Sequence, residues 1–154
     1  MLQQKQKLIR RIELLEDFYQ MILNLKSNIN YFKEPLTDIF AKSTKNANSK
    51  AYMLLKAVYD DLFDKHREIR KIWAEKVSLT YNKCPVFPKD LEIMTYMGDF
   101  IGQTDYINQL QHFDYLEANL KIQINQAKEE LNSKGPMYNK IGYFIGAIIG
   151  IILI

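Results

Sequence analysis

DYINQLQHFDYLEANLKIQINQAKEEL, residues 105–131, decides the fold. Its apolar positions are Tyr106, Leu110, Phe113, Leu116, Leu120, Ile124, Ala127 and Leu131, seven steps over 25 residues. A mean step of about 3.6 is the period of an α-helix burying one face. From 105 to 133 such a helix is ~43 Å long at ~1.5 Å per residue. The same rhythm recurs near the start of the chain. Leu8, Ile12, Leu15, Tyr19, Ile22, Leu25, Ile29 and Phe32 take seven steps over 24 residues, which is helical and close to a coiled-coil seam.

Shorter helices are predicted between these two. Pro35 disfavours helical backbone at Glu34, so the first helix should stop near Lys33, and Pro35 can open a second through about Ser43. TKNANS (44–49) is a polar loop, and Ser49 is a plausible N-cap for a third helix carrying Tyr52, Leu55, Val58, Tyr59, Leu62 and Phe63. DKHRE (64–68) is a turn or an exposed kink; the pattern leaves open whether the third and fourth helices are separate. The fourth carries Ile69, Ile72, Trp73, Val77 and Tyr81. NKCPVFP (82–88) holds two prolines three apart and reads as a loop. A fifth helix is expected from about Pro88 to Ile101, where Gly98 lets it pack closely on a neighbour. Gly102 can end it in the left-handed conformation. Thr104 can cap the sixth helix, with Asp105 against its positive end. KGP (134–136) reads as a hinge. The expected fold is all-α: a six-helix bundle over residues 1–136, then an apolar helix over 137–154.

The tail from Ile141 to Ile154, IGYFIGAIIGIILI, has no charge and no polar side chain except the Tyr143 hydroxyl. It is apolar all round, which excludes a surface helix. As a helix it spans ~21 Å, and ~27 Å from Met137, against a hydrocarbon core of ~30 Å. Lys140 can snorkel, and Tyr138 and Tyr143 suit the interfacial belt. A membrane anchor is therefore expected; the rival reading buries this helix in a soluble bundle. Gly142, Gly146 and Gly150 form GxxxGxxxG beside Ala147, a stripe on which another helix can approach closely. Lys134 and Lys140 place the bundle on the cytoplasmic side by the positive-inside rule. At the other end Lys5, Lys7, Arg10 and Arg11 precede the first acid, Glu13. These cations suit a solvated helix end, and equally a stretch beside an anionic membrane.

Composition narrows the function. Of 154 residues, 47% are apolar and 25% charged, which fits one folded chain. Only three of the six glycines precede residue 141, which argues against a turn-rich β fold. The single cysteine, Cys84, rules out a disulfide framework or thiolate metal cluster. A net charge of +3 is too small to announce nucleic acid. The chain has no phosphate-cradling glycine loop, and neither His66 nor His112 sits in Glu-x-x-His, which removes the di-iron bundle. Cys84 lies between Lys83 and Pro85 with no activating motif. Asp60, Asp61 and Asp64 read better as a solvated face near Lys65, Arg67, Arg70 and Lys71 than as a cation site. No catalytic residue, metal or cofactor is expected. The chain reads as a binding or scaffolding part.

The order of features resembles the stage III sporulation protein AB family. Leu14, Leu15 and Ile22 followed by Pro35-Leu36 look like its first helix and proline-started second, and Ile72-Trp73 with Val77 like its Trp-containing fourth. Asp90-Leu91, Met94, Gly98, Ile101-Gly102, Asp105 and Gln109 are similar to its most recognisable run. Lys134-Gly135-Pro136-Met137-Tyr138 and the tail from Gly142 resemble its closing segment and terminal membrane helix. The resemblance implies a helical bundle similar to inner-membrane platform proteins of type II secretion and type IV pilus machines. It also implies a part of the secretion apparatus between mother cell and forespore, with a secretion-type ATPase and other membrane subunits as partners. Self-association into a homo-oligomer is a further expectation. The implied location is the cytoplasmic face of the mother-cell membrane. The family's usual N-terminal membrane segment is not seen here, so the expectation is an internal start, a trimmed chain or a single-anchor member.

Overall fold

The computed structural model describes residues 2–32, 38, 49–62, 67–101 and 105–153; for residues 2, 30–32, 106 and 134–153 it describes the backbone alone. Among the described residues the chain is all-α, with five helices and no strand. These are α1 (Leu2–Phe32), α2 (Lys50–Asp61), α3 (Ile69–Tyr81), α4 (Pro88–Tyr96) and α5 (Tyr106–Leu153), with a 3₁₀ turn at Met97–Asp99. The short helix expected over 35–43 falls, apart from Asp38, outside the described residues.

The two long periodic stretches pack on each other as α1 and α5, antiparallel. Leu8 and Ile12 meet Ala127 and Leu131 at one end, and Lys26 pairs with Glu117 at 3.0 Å and with Asp114 nearer the other. Phe113, Leu116, Leu120 and Ile124 of α5 are buried as the periodicity predicts. So are Leu15, Ile22, Leu25 and Ile29 of α1. The stripe on α1 is wider than predicted. Leu14, Phe18 and Met21 are also fully covered, because α2 packs on the face beside the one α5 covers and Tyr81 of α3 meets the Phe18 ring edge-on at 6.5 Å.

The smaller helices complete the core around Trp73. α2 is capped as expected: Ser49 Oγ accepts from Tyr52 N at 3.2 Å. Asp17 of α1 adds a second acceptor, taking Ala51 N at 3.0 Å, so the first turn of α2 is tied to α1. The buried face of α2 is Ala51, Leu54, Leu55 and Val58, rotated from the tyrosine-led pattern; Tyr52 and Tyr59 are only partly covered. α2 and α3 are separate helices packed on each other, since Glu68 is extended with ψ 137 before α3. Asp61 pairs with Arg67 at 3.3 Å and Lys76 at 3.0 Å, in keeping with the charged-face reading of the aspartate cluster. Asp64 and His66 lie outside the described residues.

Two boundaries differ from expectation. The fifth predicted helix does not run evenly to Ile101; it tightens into the 3₁₀ turn after Tyr96, which buries Met97, Phe100 and Ile101 together. Asp105 caps the first turn of α5. Asp105 Oδ1 accepts from Ile107 N at 3.1 Å and, more weakly, from Asn108 N at 3.5 Å. Thr104 and Gly102 lie outside the described residues. Lastly, the backbone of α5 shows no break at 134–136, where a hinge is predicted.

Candidate interaction surface

Three features stand out on this scaffold: a buried ionic knot, an aromatic corner beside a groove, and a cationic end. The knot joins α1, α4 and α5. Arg11 Nε donates to Asp90 Oδ2 at 2.7 Å and Arg11 Nη2 to Asp90 Oδ1 at 3.0 Å, a two-point pairing. Both side chains are inaccessible, at 3% and 0%. Nη2 also reaches Gln123 Oε1 at 3.4 Å, and the guanidinium lies 3.8 Å above the Phe87 ring. Asp90 Oδ2 accepts from Phe87 N at 2.8 Å, which caps the first turn of α4 after Pro88. Sequence reasoning groups Arg11 with Lys5, Lys7 and Arg10 as solvated or bilayer-facing. The structure corrects this: Arg11 alone of the four points into the core, because its partner stands in the turn that Pro88 starts.

The corner lies where α3, α4 and α5 leave a groove of about 700 Å³. Tyr96 and Tyr115 line it, with Ala74, Leu91, Arg70 and Asp99. The Tyr96 hydroxyl is hydrogen-bonded to His112 Nδ1 at 2.5 Å, and the Tyr96 and Tyr115 rings meet edge-on at 5.5 Å. His112 stacks on Phe100 at 5.2 Å. Burial, with Tyr115 and Asp99 nearby, raises the Tyr96 pKa, so its hydroxyl keeps its proton. Arg70 and Asp99 pair at 2.9 Å across the rim. Tyr115 remains 60% exposed. Amphipathic tyrosines flanked by paired ions are the composition that protein interfaces favour.

Among the described residues no three of His, Cys, Asp and Glu converge on a metal position. Cys84 is half-buried, its Sγ 3.8 Å from the Thr80 carbonyl oxygen. Trp73 is fully buried, and its Nε1 donates to the Met94 carbonyl at 2.9 Å. Gly98 lies against it: a Cβ there would stand 2.8 Å from Trp73 Cδ1. Trp73 and Gly98 are thus brought together, whereas Asp105 caps α5 at some remove. The side chains of Tyr138, Lys140, Gly142, Tyr143, Gly146, Ala147 and Gly150 lie outside the described residues. Among the residues whose side chains are described, which exclude 134–154, no helix is long and apolar enough to cross a membrane.

The family model for stage III sporulation protein AB matches residues 2–154. The chain belongs to the stage III sporulation protein AB family. The fold agrees with a solved structure of stage III sporulation protein AB (SpoIIIAB) at a TM-score of 0.68 and 17% identity. That match covers 79% of this chain and 96% of the other. No curated protein matches the sequence.

Proposed function

We propose that the chain is a non-enzymatic, membrane-anchored platform subunit of a sporulation secretion complex. Its bundle holds a cytoplasmic secretion-type ATPase and its tail meets other membrane subunits. The observation that carries this reading is the family match over residues 2–154. The uncharged run of residues 141–154, preceded by Lys134 and Lys140, supports the anchor and its cytoplasmic bundle. The Tyr96–Tyr115 corner is the described surface best suited to the ATPase, because an exposed tyrosine backed by a partly buried one beside paired ions supplies contact area at low entropy cost.

The direct test is purification of the full chain in detergent from sporulating cells. The expected result is membrane recovery with a secretion-type ATPase in the same complex, weakened by Tyr115→Ala. Recovery in the soluble fraction without detergent would instead favour an adaptor that buries its last helix. Gly146→Leu is expected to weaken tail association in a membrane two-hybrid assay while the bundle stays folded. Unchanged association would remove the glycine stripe from the reading.

A further inference from the structure

The end of the bundle built by the first turns of α1 and the loop at 82–87 gathers cations. Lys7, Arg10 and Lys83 line one groove there, with Gln3, Gln6 and Pro85. A second groove of about 390 Å³ shares Lys7 and is lined by Val86, Phe87 and Glu130. Lys7 and Lys83 are exposed, Lys5 is partly so, and Phe87 is half-exposed at 50%. Arg10 is offset by Glu13 at 3.3 Å, and Glu130 is the acid that faces the second groove. Asp90 is engaged internally by Arg11. The net sign at this end is positive and rests on Lys5, Lys7 and Lys83.

Its position says what it meets. Leu8 and Ile12 pack against Ala127 and Leu131, so Lys5 and Lys7 stand level with the part of α5 just beyond Leu131. Ile141, where the uncharged tail begins, is then ~10–15 Å further along α5 at ~1.5 Å per residue. A headgroup layer ~5–8 Å deep and a Debye length of ~8 Å bridge that gap. We propose that this end of the bundle docks electrostatically on an anionic bilayer surface, with Lys5, Lys7 and Lys83 at the headgroups. The inference rests on the membrane-anchor reading of residues 141–154. An acidic protein segment would be attracted by the same lysines, but it would not need them beside the start of the tail.

Cys84 lies in the docking loop and is the single cysteine, so it can carry an environment-sensitive fluorophore without other changes. The full chain is reconstituted into phosphatidylcholine vesicles with and without phosphatidylglycerol, and flotation and probe emission are read together. The expected result is flotation with both. The blue shift is expected only with the anionic lipid and is reversed by high salt. Each lysine near an anionic surface is worth roughly fivefold, so Lys7→Glu with Lys83→Glu lowers the docked-to-undocked ratio by more than about tenfold and leaves flotation intact. Flotation with both vesicles and identical emission overturns the docking while the anchor stands. Salt-reversible flotation with the anionic vesicles alone upholds the docking and overturns the anchor. Flotation with neither overturns both.

Discussion

Removing the Asp90 carboxylate should destabilise the bundle far more than removing the whole ion pair. In Asp90→Ala the Arg11 guanidinium stays where it is 3% exposed. It retains Gln123 Oε1 at 3.4 Å and the Phe87 ring at 3.8 Å, and neither neutralises it. An uncompensated buried charge of this kind costs about 3–5 kcal/mol. The lost acceptor at Phe87 N, 2.8 Å away in the native chain, adds about 1 kcal/mol. For a chain of this size the ion-pair cost alone corresponds to a Tm lower by roughly 6–20 °C. Replacing both partners by apolar side chains of similar volume, Arg11→Met with Asp90→Leu, removes the buried charge and its desolvation together. That variant should fall within about 1 kcal/mol of the native chain. The assay is urea unfolding of the full chain in detergent, followed by fluorescence of the single tryptophan, Trp73, which is wholly buried and bonded to Met94 of the helix that carries Asp90. The double-mutant cycle should give a coupling of about 3 kcal/mol or more. An Asp90→Ala cost under about 1 kcal/mol, or strictly additive single changes, would refute the reasoning.

Gly98→Ala places a Cβ 2.8 Å from Trp73 Cδ1 and 3.0 Å from Trp73 Cβ, so overpacking should cost about 1–3 kcal/mol and shift the Trp73 emission; an unchanged spectrum and midpoint would show that the turn yields freely. Tyr81→Phe should leave stability unchanged or raise it by up to about 1 kcal/mol in thermal unfolding, because the Tyr81 hydroxyl is buried without a hydrogen-bond partner. Burial first, then nearby Asp17, raises the Tyr81 pKa, so the folded state holds a proton that the unfolded chain releases near pH 10. That contribution is intact below about pH 10 and is lost as pH rises beyond it; Tyr81→Phe should flatten the alkaline fall in unfolding midpoint. Asp105→Ala should cost about 1 kcal/mol and speed amide exchange in the first turn of α5 only, since the carboxylate accepts from Ile107 N at 3.1 Å.

What the sequence made legible follows from which forces are local. The burial of Phe113, Leu116, Leu120 and Ile124 is readable because one face of a long helix repeats a single constraint many times. Ser49 is readable because a cap acts within three residues. Phe18 and Met21 were missed because a stripe drawn for one partner helix ignores a second, and α1 is covered from two sides. Asp105, placed in sequence only against the positive end of α5, accepts from Ile107 N, because a carboxylate just before a helix reaches its first free amides as readily as a hydroxyl does. Arg11 was the larger miss, and the reason is physical. A cation among three others ordinarily points to water, and what reverses it here is a carboxylate 79 residues away. Half of that knot was nonetheless present in the sequence: Pro88 at the first helical position and Asp90 two residues on mark a helix start with an acceptor for the Phe87 amide. A carboxylate placed to cap a short helix at the edge of a core becomes buried as that core closes, and a buried carboxylate demands a cation. The demand could have been stated from sequence alone; which of the early cations meets it depends on the register of α1 against α4 and α5.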